Sequence, residues 1–437
     1  MTSAPHRRTP IVSGLLALLT LATLLLTACG SSTSTGNDPN APITVWVDAT
    51  RQDAVKLYQK AHPTAKLNVQ VVDRALFPGK ILLFNNTGQG WPDVVFAEPN
   101  LVAQVADSAH HFPLDLTPYV SSDIVNNFAG LAECQFDGKL YCLRNDLAQN
   151  VVWYNKALMD QFGYTVPTTW EDYQALGLKV AKEHPGYTIG AFGDSQALNV
   201  YLAGSNCPIK DVLANSQVYI NTADPNCARA ASLVDTLISA KALSTKGPFD
   251  PDYVAAANAN KVLMLVAASW YGEYVFKGTY YKAGTQAGAL AVAPPLKWAA
   301  DSQTYTGGQG GAAWVVSNHV KNRTGAVDLV TWLATSNDNQ GAAPTYPAYK
   351  PAAAVWQSTL ASNPQYSTNP FPVLQQAASD LYPAWAPVRY DPDTAFTNVV
   401  IAAVQKGQTV TSSLPDYQKA LVPLAQAQGY DVVTTKP

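Results

Sequence analysis

Asp137-Gly138-Lys139-Leu140-Tyr141, then Tyr154-Asn155-Lys156, then Val166-Pro167-Thr168-Thr169-Trp170-Glu171 form one succession in the middle of the chain. Residues 138–143 and 150–154 are rich in β-forming side chains and bracket a polar stretch, Arg144 to Gln149. Thr168 and Thr169 then offer helix caps, and Glu171 and Asp172 place early acids in a helix that must stop before Pro185. Strand, polar connection, strand and capped helix in that order predict an α/β fold.

The same alternation continues in both directions. Upstream, Ile43-Thr44-Val45-Trp46-Val47 reads as a strand, and Thr50 with Asp53 predicts a helix ending near Pro63. Strands follow at 67–72 and 93–96, with a helix around 80–84 between them. Downstream, Thr188 to Phe192 reads as a short strand, and Asp224-Pro225 as a cap with proline in the first turn of a helix running to about Ala240. Strands are expected at 262–267, at 289–293 before Pro294-Pro295, and at 312–317, the last followed by a helix at 325–334. The tail is rich in Pro, Tyr and Trp from Pro344 to Pro392, with helices near 352–360, 370–380, 393–406 and 412–428.

The chain has 437 residues, which favours two domains, and its 47% hydrophobic and 14% charged residues are those of a globular protein. A net charge of -3 provides no basic field for nucleic acid or anionic lipid. His6, Arg7 and Arg8 precede an uncharged apolar run from Ile11 to Ala28, which reads as a secretion signal. It ends in Leu26-Thr27-Ala28-Cys29, which resembles the lipobox of bacterial lipoproteins, with Cys29 as the acylated thiol. Loss of residues 1–28 would remove Arg7 and Arg8 and deepen the negative charge by two. Residues 29–41, rich in Ser, Thr, Gly and Asn, read as a flexible tether.

Four further cysteines remain: Cys134, Cys142, Cys207 and Cys227. In an exported chain an even set reads as disulfides. Of the three possible connectivities the local pairs, Cys134–Cys142 and Cys207–Cys227, are expected. They would contribute roughly 2.5 and 3.3 kcal/mol through loop closure. No CxxC or paired-histidine spacing supports a metal site, and His110-His111 reads as a solvated loop pair. No cofactor is expected.

Taken together, the lipobox, the tether, strand 43–47, Pro92-Asp93-Val94-Val95, the central succession, Ala268-Ser269-Trp270 and Gly307-Gly308 resemble the family of extracellular solute-binding proteins that includes maltose-binding protein. The resemblance covers essentially all of the mature chain. It implies two α/β lobes, 42–147 with 296–345 and 148–295 with 346–437. Three crossings are then expected near Asp146–Gln149, Pro294–Pro295 and Pro344–Pro347. It also implies a monomeric, membrane-anchored receptor that takes a mono- or oligosaccharide in the inter-lobe cleft and hands it to the permease of an ABC importer.

A sugar presents apolar C–H faces and a rim of hydroxyls, which aromatic rings and carboxylate, amide or guanidinium groups respectively suit. Asp48 and Arg51 lie in the loop that looks like the family's first contact loop. Glu98 and Asn100 follow a strand end, where open α/β sheets bind ligands. Asp146 falls at the first crossing. Trp270 and Tyr271 follow a buried strand where relatives place a stacking tryptophan, and Gln196 lies in a polar turn. Gly308, within the run Gly307 to Gly311, would allow close backbone approach. Tyr346, Trp385 and Arg389 occupy the aromatic tail. Against the family pattern, Arg144 replaces a usual proline, Ala97 an aromatic and Ala268 a glycine, and the Cys134–Cys142 pair is an addition.

Two other readings compete. The first is a related receptor for a non-sugar polar solute such as a polyol or polyamine; a polyamine would need a cluster of acids without cations, against which Arg51 and Arg389 stand if both point inward. A secreted glycosidase would need two opposed carboxylates, for which Glu98 and Asp146 are the candidates. No HExxH, GxSxG or kinase motif is present, so no catalytic residue is assigned.

Overall fold

The computed structural model describes residues 37–106, 110–136, 138–213, 216–281, 288–381 and 387–435. The signal segment, Cys29 and Trp385 lie outside these residues. Among the described residues no helix is long and apolar enough to cross a membrane.

Two sheets organise the chain. The first has five strands in the order Leu67–Val71, Ile43–Val47, Val94–Ala97, Ala313–Val316 and Leu143–Arg144. The first three run parallel, and Ala313–Val316 lies antiparallel to both of its neighbours. Val94–Ala97 and Ala313–Val316 are wholly buried, as strands covered on two faces must be. Trp46 points to the opposite face from Val45 and Val47, and its ring packs edge-on against Phe77 and Phe84 of helix Phe77–Thr87. The second sheet has Asn150–Asn155 at its centre, antiparallel to Met264–Ala268 and to Leu290–Ala293.

Local chemistry explains most helix boundaries. Thr169 accepts a hydrogen bond from the Asp172 amide and starts Trp170–Glu183, and Asp224 does the same for Asn226 at the start of Pro225–Ser239. One expectation fails. Thr50 does not cap the first helix, which spans Gln52–Ala61 with Arg51 in the cap position and no side-chain cap. The Asp48 carboxylate takes both the amide and the hydroxyl of Thr50, so that residue closes a turn before the helix instead. Among the described residues the π-helical segments Leu198–Leu202 and Gly272–Tyr280 were not expected, whereas the π-helical Thr397–Ile401 falls within the helix expected near 393–406. His110 is buried, with its carbonyl accepting from Asn85, while His111 is exposed; the pair is not the solvated one expected.

The expected disulfides are present, Cys134 to Cys142 and Cys207 to Cys227. One apolar core surrounds the first sheet and continues through Trp153 and Tyr271 to Tyr346, Trp356 and Phe371. The other is built from helices Trp170–Glu183, Pro225–Ser239 and Val410–Ala427. Leu296 and Trp298 belong to the second core, and Asp301 pairs with Arg229 at 2.8 Å. The chain therefore passes between the sheets nearer 306–311 than Pro294–Pro295. The connecting segments hold one another: Asp146–Leu147 pairs with Tyr346–Pro347, and Gln149 bridges to Gly308.

Candidate functional site

A cavity of about 720 Å³ opens beside these crossings. Strand ends of the first sheet supply one wall. Arg74, after Leu67–Val71, pairs through Nη1 with the Glu98 carboxylate, and its Nε lies 3.7 Å from Asp48 Oδ2. Burial pushes the Glu98 carboxyl up from its ordinary range; the Arg74 charge opposes this, while Asp48 and Asp146 add to it. Asn100, in the first turn of helix Pro99–Val105, lines the cavity beside it.

Behind this wall Arg51 lies 4.8 Å over the Phe96 ring and 3.8 Å from Asp146. Asp146 is buried, and its Oδ1 accepts from Asn145 Nδ2 at 3.0 Å and from the Ala312 amide at 3.2 Å. Arg144, 2% exposed, pairs with Glu133 and donates from Nη2 to the Asp146 carbonyl at 3.1 Å. Burial lowers the Arg144 pKa to about 10, against the opposing field of Asp146. Gly311 has φ +76, and a Cβ there would stand 2.6 Å from Arg144 Nη2, so only glycine leaves room for the guanidinium.

The opposite wall comes from helix ends and turns. Asn199 donates to Gln309 Oε1 at 2.6 Å and to Asp393 Oδ1 at 2.9 Å. Lys210 lines the same side, its pKa lowered to about 8 by burial against the fields of Asp393 and Asp211. Asp391 caps the helix Pro392–Phe396, accepting from the Thr394 amide. Among the described lining residues none is aromatic; the apolar ones include Pro78, Pro99, Leu101, Leu381, Pro387 and Val388.

The structure thus brings Glu98, Asn100 and Gly308 directly onto the cavity. Asp48 and Asp146 stand one contact behind, through Arg74 and Arg144, and Arg51 stands behind Asp146. Gln196 is held by the Tyr271 hydroxyl, and Ser195 beside it faces the cavity instead. Tyr271 is fully buried. Trp270 stacks on Phe249 and donates to the Gln309 carbonyl at 2.8 Å, supporting the glycine run from behind. Tyr346 and Arg389 lie outside the lining. Tyr346 stacks on Phe371 in the core, and the Arg389 guanidinium sits 4.5 Å over the Tyr430 ring. The sequence reading missed Arg74, Glu133, Asn199, Lys210, Gln309 and Asp393. The strand-end rule that chose Glu98 would also have reached Arg74, and Asp391-Pro392 repeats the capping signal of Asp224-Pro225. Among the described residues no group of three His, Cys, Asp or Glu could hold a metal ion.

The profile of the bacterial extracellular solute-binding proteins matches residues 43–340 of this sequence. The chain belongs to that family. A multiple sugar-binding protein of Streptococcus mutans is 24% identical over 277 residues, which are 59% of this solute-binding protein and 64% of that relative. The chain thus spans just under two thirds of that relative's length. Among solved structures, the galacto-N-biose-/lacto-N-biose I-binding protein of an ABC transporter from Bifidobacterium longum, in complex with lacto-N-biose, is similar with a TM-score of 0.76 and 20% identity. That likeness covers 91% of this chain and 100% of that one. A transporter-associated binding protein from B. animalis subsp. lactis, in complex with β-1,6-galactobiose, gives 0.73 and 20%, over 90% and 99%. These likenesses establish the two-lobed α/β fold with its three crossings.

Proposed function

We propose that this solute-binding protein captures a mono- or oligosaccharide between a lobe built on the sheet of Ile43–Val47 and a lobe built on the sheet of Asn150–Asn155. The observation that carries this reading is the cavity of about 720 Å³, bounded from both sides by hydrogen-bonded polar groups and small apolar surfaces. Its volume falls in the range of small-molecule sites, roughly 300–1,000 Å³. Ion pairs and amides that already hold one another present fixed donors and acceptors, which suits a neutral molecule with a rim of hydroxyls. The relatives reported above carry disaccharides or are named for sugars, which supports the same class. Capture would close the lobes about the paired segments Asp146–Leu147 and Tyr346–Pro347, because the solute makes contacts to both walls only when they approach.

In this reading the protein is a monomeric receptor, not an enzyme. Acyl chains on Cys29 hold it to the outer face of the cytoplasmic membrane, and the tether 30–41 lets it reach the permease of an ABC importer. Calorimetry with a panel of mono- and disaccharides tests it. A sugar at a hundred times its Kd should raise stability by about 2.7 kcal/mol and be recovered unchanged. Indifference to every sugar, or consumption of one, would overturn the assignment. Cys29→Ser should move the protein from the membrane to the soluble fraction, and continued retention would reject the anchor.

A further inference from the structure

Two of the expected departures from the family pattern, the Cys134–Cys142 disulfide and Arg144, form one unit on the cavity wall. Cys134 and Cys142 close the hairpin in which Gln135 pairs with Leu140, and the Tyr141 amide donates to the Cys134 carbonyl at 2.8 Å. Both cysteines are fully buried. Glu133 immediately precedes one and Arg144 follows the other by two residues, and these two side chains meet in an ion pair lining the cavity. The far side of Arg144 is fixed as well. Its backbone pairs with Ala313 of the first sheet, and Gly311 leaves space for its guanidinium.

The Nε–H of Arg144 is shielded from solvent and has no acceptor within the protein, so a solute's hydroxyl reaches it only if the guanidinium turns toward the cavity as the solute binds. A buried guanidinium with an unused donor is costly unless something else supplies the oxygen. Glu133 is one-third exposed on the same wall, which leaves its carboxylate able to accept further hydrogen bonds. A donor and an acceptor held side by side match two neighbouring hydroxyls of a sugar ring, one giving its oxygen to arginine and the other its proton to glutamate.

We propose that the Cys134–Cys142 disulfide is a positioning device for recognition: it holds Glu133 and Arg144 as a pair that grips a vicinal diol of the bound sugar. This rests on the reading of the cavity as a sugar site and adds the residues that select within that class. A positioned charged pair distinguishes a diol from its deoxy analogue far better than apolar packing does, because removing one hydroxyl leaves a buried polar group unpaired.

The test uses the mature chain and, as probe, the disaccharide that gives the largest thermal shift with the wild type, together with its monodeoxy analogues. By titration, Arg144→Met and Glu133→Gln should each weaken binding by about tenfold or more. The wild type should reject at least one deoxy analogue, and both variants should lose that discrimination. Cys134→Ala with Cys142→Ala should show the same loss of discrimination while retaining a cooperative melting transition. If the cysteine double variant does not fold, Cys134→Ser with Cys142→Ser at 10 °C is titrated in its place. Folded cysteine variants with unchanged affinity and unchanged discrimination would overturn the positioning role, and unchanged Arg144 and Glu133 variants would overturn the diol contact. A wild type that binds no carbohydrate would instead remove the functional reading on which the proposal stands.

Discussion

On one wall of the cavity and just behind it three arginines each meet a carboxylate: Arg74 with Glu98 and Arg144 with Glu133 on the wall, and Arg51 with Asp146 behind them. Across from them Lys210 lies in the fields of Asp393 and Asp211, and the amide of Asn199 bonds both Gln309 and Asp393. The first wall stands on strand ends of a five-stranded sheet, whereas the second is assembled from a π-helical turn, a helix cap and a loop after Cys207. Guanidinium–carboxylate pairs are planar and directional, so the first wall presents a fixed pattern. A lysine and an amide adapt more easily. The contrast suits a receptor whose specificity is set on one lobe and whose other lobe adjusts as it closes.

The largest difference between the walls should appear on removing one carboxylate from each. Asp146→Ala would leave Arg51 and Arg144 without a nearby buried negative charge, and would free the Ala312 amide and the Asn145 side chain. A loss of about 3–5 kcal/mol in urea unfolding is expected. Asp393→Ala removes one hydrogen bond from Asn199 and the field on Lys210, and about 1–3 kcal/mol is expected. Equal losses would show that the first wall is no more tightly paired than the second.

A smaller effect follows from Lys210, whose pKa in the folded chain, about 8, lies below its unfolded value of 10.5. Below pH 8 both states are protonated and burial of the charge opposes folding. Between about pH 8 and 10.5 the unfolded chain binds more protons, so this group makes stability rise with pH. Buried tyrosines act in the opposite sense, since burial raises their pKa values, as it does for Tyr173 and Tyr417. The comparison is therefore wild type against Lys210→Met between pH 7.5 and 9.5, where the wild type should gain on the variant. Parallel curves would show that the Lys210 ammonium stays hydrated.

The same contrast governs how much of the site was legible. Glu98, Asn100 and Gly308, which line the cavity, were legible because they follow strand ends or carry a backbone signal, and strands such as Ile43–Val47 announce themselves by β-branched and aromatic residues. The disulfide pairs were readable from export and spacing. Lys210 and Asp393 were not, because they are 183 residues apart in sequence and meet only through packing of the second core. Tyr346 was chosen for its place in an aromatic-rich tail, yet stacking on Phe371 and edge contact with Trp356 satisfy its ring within the core. Composition shows that a ring is present; only packing shows which surface it covers.

Trp270 tests that distinction on the connection between the walls. Its Nε1 donates to the Gln309 carbonyl at 2.8 Å, while its ring lies nearly parallel to Phe249 at 6.3 Å and beside Tyr271 at 4.4 Å. Gln309 in turn accepts from Asn199, so the tryptophan and the asparagine fix the glycine run from two directions. Trp270→Phe keeps a ring against Phe249 and Tyr271 but removes the indole donor, which leaves the Gln309 carbonyl to find water. A cost of about 0.5–1.5 kcal/mol in stability is expected, with a loss of sugar affinity no larger than that. Trp270→Ala would also remove the aromatic contacts and should cost more. Were Trp270→Phe instead to abolish binding while stability held, the indole itself would have to touch the sugar in the closed state, and the second wall would carry an aromatic face after all.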